Sequence, residues 1–261
     1  MNTQTISILL LVLLLLTAMI AGYQWFVQRR ESTAAAQSFR EIQTLVTQPT
    51  EQQEQAAEEE PVPTETTAPR TAYETYHGLL LANPDFIGWL RIEGTAVDYP
   101  VMYAPNRPDF YLRRDFYGNS SNHGVPYLEE GCAPGMSNNL ILYGHNMRDG
   151  SMLHDVLNYR DRDFWKDHQT ITFDTLDSFG TYQVMIAFLY DAEWDPFKYH
   201  TCTDMDEEDF EAFLEECRTR SLYDTGVTAE YGDELLTIST CEYSHDNGRF
   251  VLVAKRIREE D

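Results

Sequence analysis

Apolar and polar positions divide this chain into stretches of different texture. Ile6 to Val27 is 22 residues without a charge, long enough to cross the roughly 30 Å hydrocarbon core of a bilayer as a helix. A cleavable signal peptide has a shorter apolar core and an Ala-x-Ala-like site, which Ala18 to Gly22 fits poorly, so residues 1–30 read as an uncleaved anchor. Residues 31–47 set Phe39, Ile42 and Val46 on one face, the pattern of a short helix beyond the anchor. From Gln48 to Arg70 the chain is Glu, Gln, Thr, Pro and Ala, with almost nothing to bury. Residues 31–71 therefore read as a juxtamembrane segment and disordered stalk, stiffened by Glu58–Glu60, Pro61 and Pro63.

From residue 72 the pattern changes to short alternating runs. A helix over Tyr73–Ala82 is closed by Asn83 and Pro84. Strands are predicted at Phe86–Ile92, Ala96–Tyr103, Gly124–Glu129, Asn139–His145, Thr170–Thr175 and Thr181–Asp191, and a terminal hairpin adds Leu235–Cys241 and Arg249–Ile257. Eight short strands with turn residues between them argue a mainly β fold, barrel or sandwich. Gly150–Tyr159 and Arg162–Asp167 have helical character. A stronger helix runs from about Met205 to Thr219, with Phe210, Phe213, Leu214 and Cys217 on its apolar face, Asp204 as cap and Glu207 three residues on.

Composition changes the picture in three ways. The 16 Tyr, 13 Phe and 4 Trp suit a β-rich domain. The net charge is −24, and residues 1–70, with four Arg and eight Glu, carry only −4 of it. Clustered cations for nucleic-acid phosphates are therefore lacking; the acidity reads as a solvated surface and, more sharply, as attraction for a cationic amine. The four cysteines, Cys132, Cys202, Cys217 and Cys241, are not the even, dense set of a disulfide scaffold, and Cys217 on a helix's apolar face reads as a core residue rather than a partner for Cys202.

The chemistry gathers around residues 235–258. Pairing of the two terminal runs sets Cys241 close to Arg249, and a thiol beside a permanent cation ionises more easily. The same guanidinium can stabilise the oxyanion formed when a thiolate attacks a carbonyl. His145 ends another apolar strand just past Gly144 and supplies a base, whereas His245 sits in the hairpin loop. Nucleophile, base and oxyanion stabiliser are thus all available at strand ends. His77, His123, His154, His168 and His200 form no HExxH or CxxC grouping and read as surface or satisfied histidines, so no metal site is predicted.

TISTC at Thr237–Cys241, Arg249 one hairpin later and YGHNM at Tyr143–Met147 resemble the sortases, specifically class B. The resemblance extends over residues 72–258, through DFIGWLRIEGTAVDYPVM (85–102) and FYLRRDFYG (110–118), with Ile238 where the family usually has Leu. It implies an eight-stranded sortase-type β-barrel catalytic domain over 72–261, with a helix in the connection before the cysteine strand. It further implies a cysteine transpeptidase: Cys241 attacks the carbonyl of a threonine in a C-terminal sorting signal, His145 moves the protons, Arg249 binds the oxyanion, and an amine resolves the thioester. No cofactor is called for, whether metal, nucleotide or flavin.

By the same resemblance Leu112, Tyr143, Ser239 and Glu242 bind the signal peptide. The partners are secreted proteins bearing NPxTN-like or SPxTG-like signals and a peptidoglycan-precursor amine or a pilin lysine. The enzyme is a single-pass membrane protein with its catalytic domain outside. Against that orientation, no Lys or Arg precedes the span while Arg29 and Arg30 follow it, which the positive-inside rule reads as a cytoplasmic domain. Rival readings are a cysteine hydrolase passing the acyl group to water, a pilin-polymerising transpeptidase, and a membrane-tethered binding domain with an inactive barrel.

Overall fold

β-branched and aromatic runs settle as strands where their side chains can be buried, and eight do so here: β1 (Phe86–Arg91), β2 (Asp98–Met102), β3 (Tyr127–Leu128), β4 (Asn139–Gly144), β5 (Thr170–Thr175), β6 (Thr181–Asp191), β7 (Leu235–Cys241) and β8 (Gly248–Arg256). The computed structural model describes residues 3–47, 70–244 and 246–258; the stalk expected over 48–69 and His245 lie outside the described residues. The strands close into a barrel in the order β1-β2-β3-β4-β7-β8-β6-β5, with β5 returning to β1. Closure leaves no free sheet edge.

Two neighbouring pairs, β2–β3 and β4–β7, are parallel and the rest antiparallel. A parallel pair needs a long crossover. Between β4 and β7 the chain supplies α3 (Arg162–Asp167), β5, β6 and α4 (Glu207–Arg220). Leu142, Ile238 and Leu252, on β4, β7 and β8, are fully buried, and each such side chain stabilises the fold by about 1.5–3 kcal/mol. At Gly88 of β1 a Cβ would stand 2.2 Å from the Asp174 carbonyl oxygen, so only glycine permits this approach of β5.

The helices depart from the sequence pattern in informative ways. α1 is one continuous helix, Thr3–Thr47, rather than an anchor followed by a separate short helix; Ala34–Ala36 favour continuation. The chain divides into two compact units, 1–41 and 42–261. In the first, Leu10–Leu16 are exposed on a helix long and apolar enough to cross a membrane. In the second, Ile42 is fully buried and the Gln43 amide donates to Asp98 Oδ2 at 2.9 Å, so residues 42–43 pack with the barrel.

α2 (Ala72–Ala82) opens with a capping box, in which the Thr71 hydroxyl accepts from the Glu74 N–H and the Glu74 carboxylate accepts from the Thr71 N–H. α4 begins at Glu207 with Asp206, not Asp204, as its cap. The reason lies in Met205, whose backbone N–H and C=O are both bonded to the Asn138 side chain at the start of β4. The stretch after Gly150 forms a 3-10 turn over His154–Arg160 instead of a longer helix, because Gly150 and Met152 both take positive φ, 84° and 59°. β3 is shorter than predicted: Pro126 has no N–H to donate, and Gly124 is left-handed at φ 63°.

Candidate active site

β4 and β7 are parallel hydrogen-bonded neighbours, with Tyr143 opposite Ser239 and Gly144 opposite Thr240. His145 and Cys241 are the next residues along, on chains about 4.8 Å apart. β7 and β8 are antiparallel, and Cys241 lies directly opposite Arg249, a pairing that holds Cβ atoms roughly 4.5–5.5 Å apart. Side chains alternate along a strand, so Ser239 shares a face with Cys241. The structure therefore brings Cys241, His145 and Arg249 to one level of three adjacent strands, each half-buried.

The His145 imidazole is oriented by a carbonyl. Nε2 donates to Leu112 O at 2.8 Å, so in the neutral ring the lone pair sits on Nδ1, the arrangement a general base needs. Burial pushes the His145 pKa below its ordinary value, and the nearby Arg113 guanidinium and His123 ring add to that, against the opposing pull of the Leu112 carbonyl. Leu112 reaches this position because the 3-10 turn Phe110–Arg113 passes over Gly124, where a Cβ would come within 2.6 Å of its carbonyl oxygen.

The residues assigned to substrate by resemblance are distributed unevenly. Leu112 touches the imidazole through its backbone. Ser239 is buried, its hydroxyl 2.8 Å from the Tyr199 hydroxyl. Tyr143 donates to Glu129 Oε2 at 2.6 Å; burial, then Tyr199 and Glu129, raise its pKa far beyond the usual phenol range. Glu242 is 5% exposed and pairs with Arg160 at 2.5 Å. Its burial alone would raise the carboxyl pKa, but hydrogen bonds from Ser244 and Arg160 outweigh that and hold it below the ordinary value.

Several neighbours carried little or no signal in the sequence. Arg160, distant in the chain, reaches Glu242 only through the fold. Tyr199, in the 3-10 turn Tyr199–Thr201, covers Ser239. Asn146, adjacent to His145, donates from Nδ2 to the Cys241 carbonyl at 3.0 Å, and its position next to the candidate base was the available clue.

All four cysteines are free. Burial pushes Cys132 up to about 11 and raises Cys202 and Cys217 as well, which makes these three poor nucleophiles at neutral pH. Among the described residues no group of three or more His, Cys, Asp and Glu is arranged to hold a metal ion. His123 pairs with Asp149 at 2.9 Å, and His168 stacks on Phe164.

Comparison with known proteins places these features in a family context. A sortase-domain family model matches residues 90–257. The chain is similar to sortase B of Listeria monocytogenes, at 32% identity over 178 residues, 67% of this chain and 71% of that protein. It is also similar to sortase B of Staphylococcus aureus, at 30% identity over 186 residues, 70% of this chain and 75% of that protein. Among solved structures, a Staphylococcus aureus sortase B–substrate complex superposes with a TM-score of 0.72 at 25% identity, covering 88% of this chain and 99% of that one.

Proposed function

From the premise that the chain belongs to the sortase family, class B, and is a cysteine transpeptidase, we propose that it cleaves a C-terminal sorting signal after threonine and transfers the protein to a cell-wall amine. The observation that carries this reading is the meeting of Cys241, His145 and Arg249 at the ends of β4, β7 and β8.

The steps follow from that geometry. The Cys241 sulfur attacks the threonine carbonyl carbon, with the thiol proton on His145 Nδ1. The tetrahedral oxyanion is stabilised by the Arg249 guanidinium. As the peptide C–N bond breaks, His145 returns the proton to the leaving amine, and a thioester remains on Cys241. An incoming amine then attacks the thioester carbonyl, loses its proton to His145, and displaces the sulfur, which regains that proton.

Leu112, Tyr143 and Ser239 border the peptide groove in this reading, and the Staphylococcus aureus relative has been solved in complex with substrate, which supports binding of a sorting-signal-like substrate. Glu242, committed to Arg160, shapes the wall beside Cys241. Residues 1–30 anchor the protein and 72–261 form the catalytic domain, held outside the membrane where cell-wall amines are found. Protease accessibility in intact cells tests that orientation against the charge of Arg29 and Arg30.

The deciding experiment incubates the detergent-solubilised full chain with sorting-signal peptides, with and without an added amine, and identifies products by mass spectrometry. Cleavage is expected to yield the amine-linked product and to be lost in Cys241→Ala, His145→Ala and Arg249→Ala. Undiminished cleavage by Cys241→Ala would end the reading, and product that is always the free acid would favour a hydrolase.

A further inference from the structure

The β4–β7 ladder stops one residue short of the chemistry. Its last pair is Gly144 opposite Thr240, whereas His145 and Cys241 lie just beyond. Backbone past the last ladder bond opens at low cost, yet nucleophile and base need a fixed separation.

Three side-chain bonds span this gap. Thr240 Oγ1 donates to Gly144 O at 2.8 Å, Asn146 Nδ2 to Cys241 O at 3.0 Å, and Tyr243 OH to Asn146 O at 2.8 Å. Asn146 is 4% exposed, and its own backbone is anchored by an isolated bridge to Met152. On the far side of its amide, His154 Nδ1 lies 2.7 Å from Asn146 Oδ1. A carbonyl oxygen only accepts, so His154 donates there. Turning the amide over would set its oxygen against the Cys241 carbonyl oxygen, acceptor facing acceptor. His154 thus selects the orientation in which Asn146 grips the nucleophile's backbone.

We propose that Asn146 is a positioning residue that continues the missing ladder between the strand ends bearing His145 and Cys241, and that His154 orients it. The inference rests on the proposed roles of Cys241 and His145. Loss of the grip lets Cys241 drift from the imidazole, and a displacement of about 1 Å at a reacting centre can cost on the order of a hundredfold in rate.

The test uses the full chain in detergent and two readouts: steady-state peptide cleavage, and the rate of Cys241 alkylation by iodoacetamide, mapped by mass spectrometry. Asn146→Ala is expected to lower kcat by about tenfold or more with KM within about twofold, and to slow Cys241 alkylation several-fold as the sulfur moves away from the imidazole that takes its proton. His154→Leu should do the same, while His154→Asn, whose amide N–H can stand where Nδ1 stood, restores kcat toward wild type. An unchanged kcat and alkylation rate in Asn146→Ala, or a His154→Asn protein as impaired as His154→Leu, would overturn the proposal. A wild-type chain that cleaves no peptide would count against the proposed reaction instead, and the alkylation comparison would still decide whether Asn146 positions Cys241.

Discussion

Removing the Arg160 side chain tests how the turn after the nucleophile is held. Glu242, the residue after Cys241, is 5% exposed and receives Arg160 at 2.5 Å, while Arg160 itself is 41% exposed. Breaking a fully buried ion pair costs about 3–5 kcal/mol, and an exposed one contributes about 0.2–1 kcal/mol. With one partner half in water and Ser244 still bonded to the carboxylate, Arg160→Ala should destabilise by about 2 kcal/mol after screening is allowed for. A unit of this size loses about 2–4 °C of Tm per kcal/mol, so the melt should move down by about 4–8 °C. The pH dependence has a definite sign. A Glu whose folded pKa is depressed contributes stability that is present above its unfolded value and lost as pH falls through the folded one. The gap between wild type and Arg160→Ala should therefore be full near neutrality and close as the pH falls below the ordinary carboxylate range. Calorimetry of the full chain in detergent measures both. An unchanged Tm near neutrality, or a gap as wide in acid as at neutrality, would refute the reasoning.

Three further perturbations follow from the same structure. Tyr76→Phe removes the bond from a buried hydroxyl to Asp174 Oδ2, 2.6 Å away, and leaves a carboxylate that is 3% exposed with a poorer set of partners; the denaturant midpoint should fall by the equivalent of about 1–3 kcal/mol with m unchanged. Gly88→Ala drives a Cβ to 2.2 Å from the Asp174 carbonyl, so β1 and β5 must part and the loss should reach about 3 kcal/mol or more, read by the same unfolding curve. Arg113→Ala takes away a positive charge that depresses His145, so the acid limb of the kcat/KM profile should shift to higher pH, by a fraction of a unit because Arg113 is exposed. That shift should shrink as salt is added.

What was legible in the sequence is what strand periodicity and short-range chemistry control. Leu235–Cys241, Thr170–Thr175 and Thr181–Asp191 are strands with the bounds their alternation implies, and Cys241 faces Arg249 as the hairpin requires. The meeting of His145 with this pair depends on β4 lying parallel to β7, a long-range pairing that local pattern does not carry; the resemblance to sortases grouped the three residues without stating it. Cap placement failed at α4 because Asn138, far away in the chain, claims Met205. The ion pair that holds Glu242 and the His154–Asn146 contact likewise join residues whose spacing carries no periodic signal. The apolar face that includes Ile42 was visible in the sequence, but the bond from Gln43 to Asp98, 55 residues on, was not.

One measurement bears most directly on whether the acyl group passes through the sulfur of Cys241. The full chain, acid-quenched during turnover of a sorting-signal peptide, would be digested and its cysteine-bearing fragments mapped by mass spectrometry. The expected result is the N-terminal half of the peptide attached to Cys241 through a bond that an added amine discharges. Turnover with that half carried on another residue, or with Cys241 unmodified throughout, would contradict the account.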